Sequence, residues 1–159
     1  MSAVIFYTDG SCSKNGSQEN TGGFGVLGLD KDEKIVVSYS KRSENTTNNR
    51  EELKAILYVL KNYGNDPNNI PTVYSDSAYS VNTLTNWMFN WSYNNWTKSD
   101  GKTPENLDII QEYYNLCNKG YQINLQKVKG HSTNKWNNLV DSLATGKIEA
   151  WEVIDGTNN

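Results

Sequence analysis

Two adjacent glutamates in "TTNNREEL", Thr46 to Leu53, open an apolar helical pattern. With Asn48 as N-cap, Glu51 falls at the third helical position, where a carboxylate satisfies free backbone N–H groups. Glu52 shares a helix face with Ile56 and Val59, so it is aimed along the margin of the buried stripe, where an unpaired carboxylate costs free energy. Three aspartates occupy comparable places: Asp9 in "YTDGS", Asp76 directly after "PTVYS", and Asp141 in "NLVDSLA" with Asn137 one turn before it. Each has a bland use. Asp9–Gly10 is a hairpin-turn signal, Asp76 is a favoured N-cap, and Asp141 is a solvated helix residue. The combination points further. If the strands that end near Asp9 and Asp76 are neighbours, and the helix bearing Glu52 packs over them, three or four carboxylates meet in one place. They cannot all stay ionised unaided. A divalent cation removes the conflict, and all-oxygen ligands with open water positions suit Mg²⁺ or Mn²⁺. Two such ions about 4 Å apart can activate a water and stabilise the leaving oxygen of a phosphodiester.

The elements that must position these acids can be read from periodicity. "AVIFYT" predicts a strand ending near Thr8, and "GFGVLGL" and "KIVVSYSKR" predict two more, joined by a turn at "DKDE". Leu53, Ile56, Leu57 and Leu60 predict a helix that Gly64 stops. "PTVYS" is a short strand, and a helical segment runs from about Ser77 into "NWMFNWSYNNW". Thr103 and Pro104 predict the start of a helix carried by Leu107, Ile110, Tyr114 and Cys117. "YQINLQKVKG" alternates as a strand, and "NKWNNLVDSLATGKIEA" predicts a final helix with Trp136, Val140 and Leu143 inward. The order β-β-β-α-β-α-α-β-α predicts an α/β fold: a five-stranded mixed sheet, three strands antiparallel and then two parallel, flanked by helices. With 159 residues, one domain over residues 1–150 and a short tail over 151–159 is expected.

Composition narrows the class. Hydrophobic residues make up 36% and charged residues 21%, an ordinary globular balance. Five Trp and ten Tyr exceed what a bland core needs and fit a surface that meets bases, sugars or partners. A net charge of -3 argues against a nucleic-acid binder. Its distribution is uneven, because residues 119–149 hold five Lys against one Asp and one Glu, with the chain's one His. Cys12 and Cys117 lack metal-ligand spacing and follow no secretory signal, so both read as reduced thiols of a cytoplasmic protein. No stretch approaches membrane-spanning length, and a monomer is the default expectation.

"TDGSCSKN", "TTNNREEL", "YSDSAY" and "VKGHSTNKWNNLVDSLA" together closely resemble type 1 ribonuclease H, over about Val4 to Ala150. The resemblance implies the ribonuclease H-like fold and an endonuclease that cuts the RNA strand of RNA–DNA hybrids, leaving a 5′-phosphate and a 3′-hydroxyl. It implies Asp9, Glu52, Asp76 and Asp141 as ligands of two Mg²⁺ ions, and His131 as a loop histidine that aids proton transfer or product release. It also implies that Asn15, Asn48 and the backbone around Cys12 lie against the minor groove, and that Thr47 holds a DNA phosphate. Trp87 and Asn137 are further candidate substrate contacts. Only RNA offers a 2′-hydroxyl in that groove, so the DNA strand must be identified by shape or deformability.

The chain also departs from the family pattern. Ala78 stands where many members carry Gln, and Ile110 where some place an aromatic facing DNA. The segment from Trp87 to Glu105, similar to the family's substrate-gripping handle, balances two Lys against Asp100 and Glu105. Phosphate neutralisation dominates affinity, so binding weaker and more salt-sensitive than in a basic-handled relative is expected. Two rival readings remain: a non-catalytic hybrid-binding module, and another nuclease of the superfamily such as a junction resolvase or a 3′–5′ exonuclease. The first would be expected to lack a ligand; the second would lack "TTNNREEL" and the handle.

Overall fold

A five-stranded sheet in the order β3-β2-β1-β4-β5 organises the molecule. The computed structural model describes residues 2–13, 20–129 and 134–158. Its strands are β1 (Ile5–Ser13), β2 (Thr21–Leu29), β3 (Ile35–Glu44), β4 (Thr72–Ser75) and β5 (Asn124–Lys127). β1–β2 and β2–β3 pair antiparallel, whereas β1–β4 and β4–β5 pair parallel. The mixed sheet expected from the sequence is therefore present. Strands joined by short turns run antiparallel, and those separated by helices run parallel.

The helices are α1 (Asn48–Tyr63), α2 (Ala78–Asn82), α3 (Met88–Tyr93), α4 (Leu107–Asn118), α5 (Lys135–Thr145) and α6 (Ala150–Asn158), with a π-helical turn over Thr83–Trp87 between α2 and α3. Because strand side chains alternate between faces, β1 feeds two cores. Phe6 joins Leu53, Ile56 and Leu60 of α1 and Ile110 and Tyr113 of α4 on one face. Tyr7 joins Val140 and Leu143 of α5 and Val153 of α6 on the other. β2, next to the central strand β1, is covered on both sides. Its glycines let α5 approach closely: a Cβ on Gly25 would lie 2.7 Å from Leu143 Cβ and 2.8 Å from the Val140 carbonyl.

Four boundaries differ from the sequence reading. β1 does not end near Thr8 but runs to Ser13, paired throughout with Thr21–Leu29. Tertiary pairing thus overrides the poor strand propensity of "SCS". Thr47, not Asn48, caps α1, its Oγ1 accepting from Arg50 N at 3.1 Å. α4 begins at Leu107 after Asn106 in the left-handed region, not at Thr103–Pro104, and buries Ile109, Ile110 and Tyr113. Arg50 forks onto Asp108 at 3.0 and 2.6 Å, while the Asn106 amide donates to Tyr79 Oη at 3.3 Å. These contacts register the start of α4 against α1 and α2. Ile110 is fully buried, so it packs the core and faces no ligand. The stretch from Trp151, read as a short tail over 151–159, belongs to α6 (Ala150–Asn158), and Val153 is buried against the second core.

Candidate active site

β1 pairs with β4 only as far as Thr8↔Ser75. The next residue on each strand path is an acid, so Asp9 and Asp76 stand side by side where β4 ends and β1 continues alone. Gly10 is what lets the third acid join them. A Cβ at Gly10 would lie 2.3 Å from Glu52 N and 2.5 Å from Glu51 C, so the first turn of α1 rests directly on the β1 backbone. Carboxylate oxygens of Asp9, Glu52 and Asp76 come within 4.8 Å of one another. Asp141, on exposed ground one turn before the end of α5, reaches the Asp9 carboxyl from the opposite face.

Burial and like charge dominate the electrostatics of this group. Asp9 and Glu52 are buried, 8% and 7% exposed. Burial, together with the charges of Asp76 and Asp141, pushes the Asp9 carboxyl up to about 7 despite a hydrogen bond from Glu52. Burial and the neighbouring Asp9 raise Glu52 well above the usual carboxylate range. Glu52 Oε2 is buried with no hydrogen-bond partner among the described residues. An orphaned acceptor inside a cluster of acids is costly unless something positive fills the gap. Hard oxygen ligands of this kind fit a small divalent ion.

Glu51 has a different task from the one its spacing indicated. It is fully buried, and its Oε2 accepts from Thr46 Oγ1 at 2.6 Å and Lys54 Nζ at 2.9 Å. With the cap at Thr47, Glu51 lies one residue too late for a capping box and instead ties the strand-to-helix connection to the helix. Asn20 holds the same connection, accepting from Thr46 N at 2.7 Å and donating to Thr46 O at 2.9 Å.

The acids line a cleft of about 660 Å³ together with Cys12, Asn48 and Asn49. Cys12 and Asn48, which the resemblance sets against the minor groove, thus line the same cleft as the acids. Its described lining does not include Thr47, Trp87 or Asn137. The Thr47 side chain is used as the α1 cap, and Trp87, 39% exposed, packs against Trp91. Asn137 donates its backbone N–H to the Asn134 cap of α5 at 3.3 Å. Asn15 and His131 lie outside the described residues. Arg42, Ser77 and Thr145 also line the cleft, and none carries a local sequence signal. Arg42 could have been found only from the β2–β3 register, which sets it opposite Gly23.

The RNase H family model matches residues 1–149. The chain belongs to the ribonuclease H family. It is 42% identical over 150 residues to "Ribonuclease H" of Caldicellulosiruptor saccharolyticus, covering 94% of this chain and 98% of that one. Among solved structures it resembles LC9-RNase H1, described as a type 1 RNase H with the type 2 active-site motif, at 27% identity and a TM-score of 0.70, covering 99% of this chain and 75% of that one. It also shares its fold with a foamy viral protease–reverse transcriptase in complex with RNA/DNA hybrid, at 19% identity and a TM-score of 0.78. That match covers 89% of this chain, which spans about a fifth of the viral polypeptide (19%). Divalent-metal dependence goes with ribonuclease H membership, and an acidic cluster of Asp9, Glu52 and Asp76 is present. No helix among the described residues is long and apolar enough to cross a membrane.

Proposed function

We propose that this ribonuclease H cleaves the RNA strand of RNA–DNA hybrids, with Asp9, Glu52, Asp76 and Asp141 holding two Mg²⁺ ions, for which Mn²⁺ can substitute. The carrying observation is the buried Asp9–Glu52 pair with its orphaned Glu52 oxygen, beside Asp76 and Asp141 in an open cleft. Bound there, the ions would supply an activated water and charge stabilisation for a leaving oxygen. The chain's own residues do the positioning. Asp9 and Asp76 are fixed by the β1–β4 register, and Glu52 by the contact of α1 with Gly10. The water oxygen forms the new bond to phosphorus, and the bond from phosphorus to the 3′ oxygen breaks. The 3′ oxygen takes a proton, leaving 5′-phosphate and 3′-hydroxyl ends.

On the substrate side, the cleft wall of Cys12, Asn48 and Asn49 suits the minor groove of the hybrid, where the RNA 2′-hydroxyls are displayed. Asn15, Thr47, Trp87 and Asn137 extend this reading along the duplex, and His131 serves proton transfer or product release. We read the enzyme as a monomer of one domain over residues 1–150, working in the cytoplasm. Both cysteines are free thiols, which fits that reducing compartment.

Strand-labelled RNA–DNA, RNA–RNA and DNA–DNA duplexes of one sequence, incubated with Mg²⁺ and with chelator, test this. Cutting confined to the RNA of the hybrid, and only with Mg²⁺, is the expected outcome. Comparable cutting of the other duplexes, or cutting in chelator, overturns the proposal.

A further inference from the structure

Two side chains from different strands converge on one carbonyl of α5. Ser11 Oγ of β1 donates to Ala144 O at 3.0 Å, and Arg42 Nη1 of β3 donates to the same oxygen. Ala144 is in the last turn of α5, where carbonyls lack intrahelical partners and the helix end carries partial negative charge. Glycines clear the route for Arg42. A Cβ on Gly23 would lie 2.6 Å from Arg42 Nη1, and the Arg42 stem runs past Gly146, which closes α5 in the left-handed region. The clamped carbonyl lies three residues after Asp141, whose own carbonyl accepts from Thr145 Oγ1 at 3.0 Å.

We propose that Arg42 is a positioning residue that holds the end of α5 on the sheet so that Asp141 stays beside Asp9; the inference rests on reading Asp141 as an ion ligand. Where no cation lies between them, ionised Asp9 and Asp141 carboxylates repel each other and push α5 away from β1. The clamp opposes that push from the sheet side, where β1 and β3 flank the glycines of β2. When it is lost, the helix end relaxes outward, and a cation must draw it back before Asp141 can contribute.

Simple electrostatics and the clamp make opposite predictions. Removing a guanidinium from the rim of an acidic cleft strengthens cation binding by Coulomb's law alone, whereas removing a clamp weakens it. The experiment measures Mn²⁺ affinity of the hybrid-free protein by electron paramagnetic resonance for wild type, Arg42→Ala, Arg42→Gln and Asp141→Asn, with thermal unfolding of each. Arg42→Ala is expected to bind Mn²⁺ about threefold to tenfold more weakly, the equivalent of one hydrogen bond. Arg42→Gln, which keeps a donor and loses the charge, is expected to recover most of that affinity. Unchanged or tighter binding by Arg42→Ala, with Asp141→Asn weakened, overturns the clamp. Equally weak binding by Arg42→Ala and Arg42→Gln shows that a retained donor does not restore the site, and also overturns the hydrogen-bond clamp. Wild-type affinity in Asp141→Asn overturns instead the assignment of Asp141 as a ligand.

Discussion

Gly10 is the position at which one methyl group should separate the acids without touching any of them chemically. A Cβ there would meet Glu52 N at 2.3 Å, whereas ordinary contact begins at 3.4 Å, so the first turn of α1 must retreat by about 1.1 Å. The obstacle on both sides is backbone, β1 below and α1 above, so no side-chain rotation relieves it. Overpacking of this kind costs about 1–3 kcal/mol of stability, which a two-core domain tolerates. Its effect on turnover should be larger. Glu52 moves with the helix while Asp9 and Asp76 stay with the sheet, and a displacement near 1 Å in a reacting constellation costs on the order of 100-fold in rate. Gly10→Ala should therefore fold, with native circular dichroism and a Tm lowered by several degrees, yet lose about 100-fold in kcat on a labelled RNA–DNA hybrid. Single-turnover cleavage at saturating enzyme, beside a thermal melt, is the assay. A folded Gly10→Ala protein with near wild-type kcat would refute the claim that the α1–β1 contact sets the Glu52 position.

Other outcomes follow from the same structure. Glu51→Gln should lose about 1–3 kcal/mol of stability, since a buried carboxylate gives up its ion pair with Lys54, while kcat on the hybrid stays close to wild type. A melt unchanged by the substitution counts against the bracing role. In chelator, stability should fall as pH rises from about 4 to about 7: Asp9, raised from 3.8 to about 7, holds in the folded state a proton that the unfolded chain has already released. Mg²⁺ should remove that loss, so the Tm gain on adding Mg²⁺ grows across the interval, and a pH-independent gain contradicts the buried acid cluster. Asp9→Asn should bind hybrid and fold but not cut it, and retained cutting removes Asp9 from the chemistry. The weakly charged handle should give low hybrid affinity at low salt but a shallower fall of log affinity with log salt than in a basic-handled relative, because the slope counts phosphate contacts. A matching slope in filter binding refutes this, and the shallow slope replaces the steeper salt sensitivity that low handle charge at first implies.

Much of the architecture was legible because each apolar pattern had one period and one partner. The stripe of Leu53, Ile56 and Leu60 marks the buried face of α1, and Glu52 is legible at its margin. What Glu51 does could not be read, because its partners Thr46 and Lys54 matter only once the cap is known to be Thr47. The far half of β1 was illegible for a related reason: Ser11, Cys12 and Ser13 have little intrinsic strand preference, and their partner strand supplies the order. The acids could be grouped because Asp9, within β1, and Asp76, just past β4, each follow one residue of the last β1–β4 pair, Thr8 and Ser75. Arg42 could not be grouped with them, since its link to Ala144 joins residues 102 apart in sequence across three elements. The start of α4 was misplaced because Arg50 and Tyr79, not local capping chemistry, hold Asn106 and Asp108.

Crystals soaked in Mn²⁺ and measured at the manganese absorption edge would test the acidic pocket most directly. Anomalous density bounded by the carboxylates of Asp9, Glu52 and Asp76 is the predicted result. Manganese bound only elsewhere, with that pocket lacking anomalous density, would contradict it.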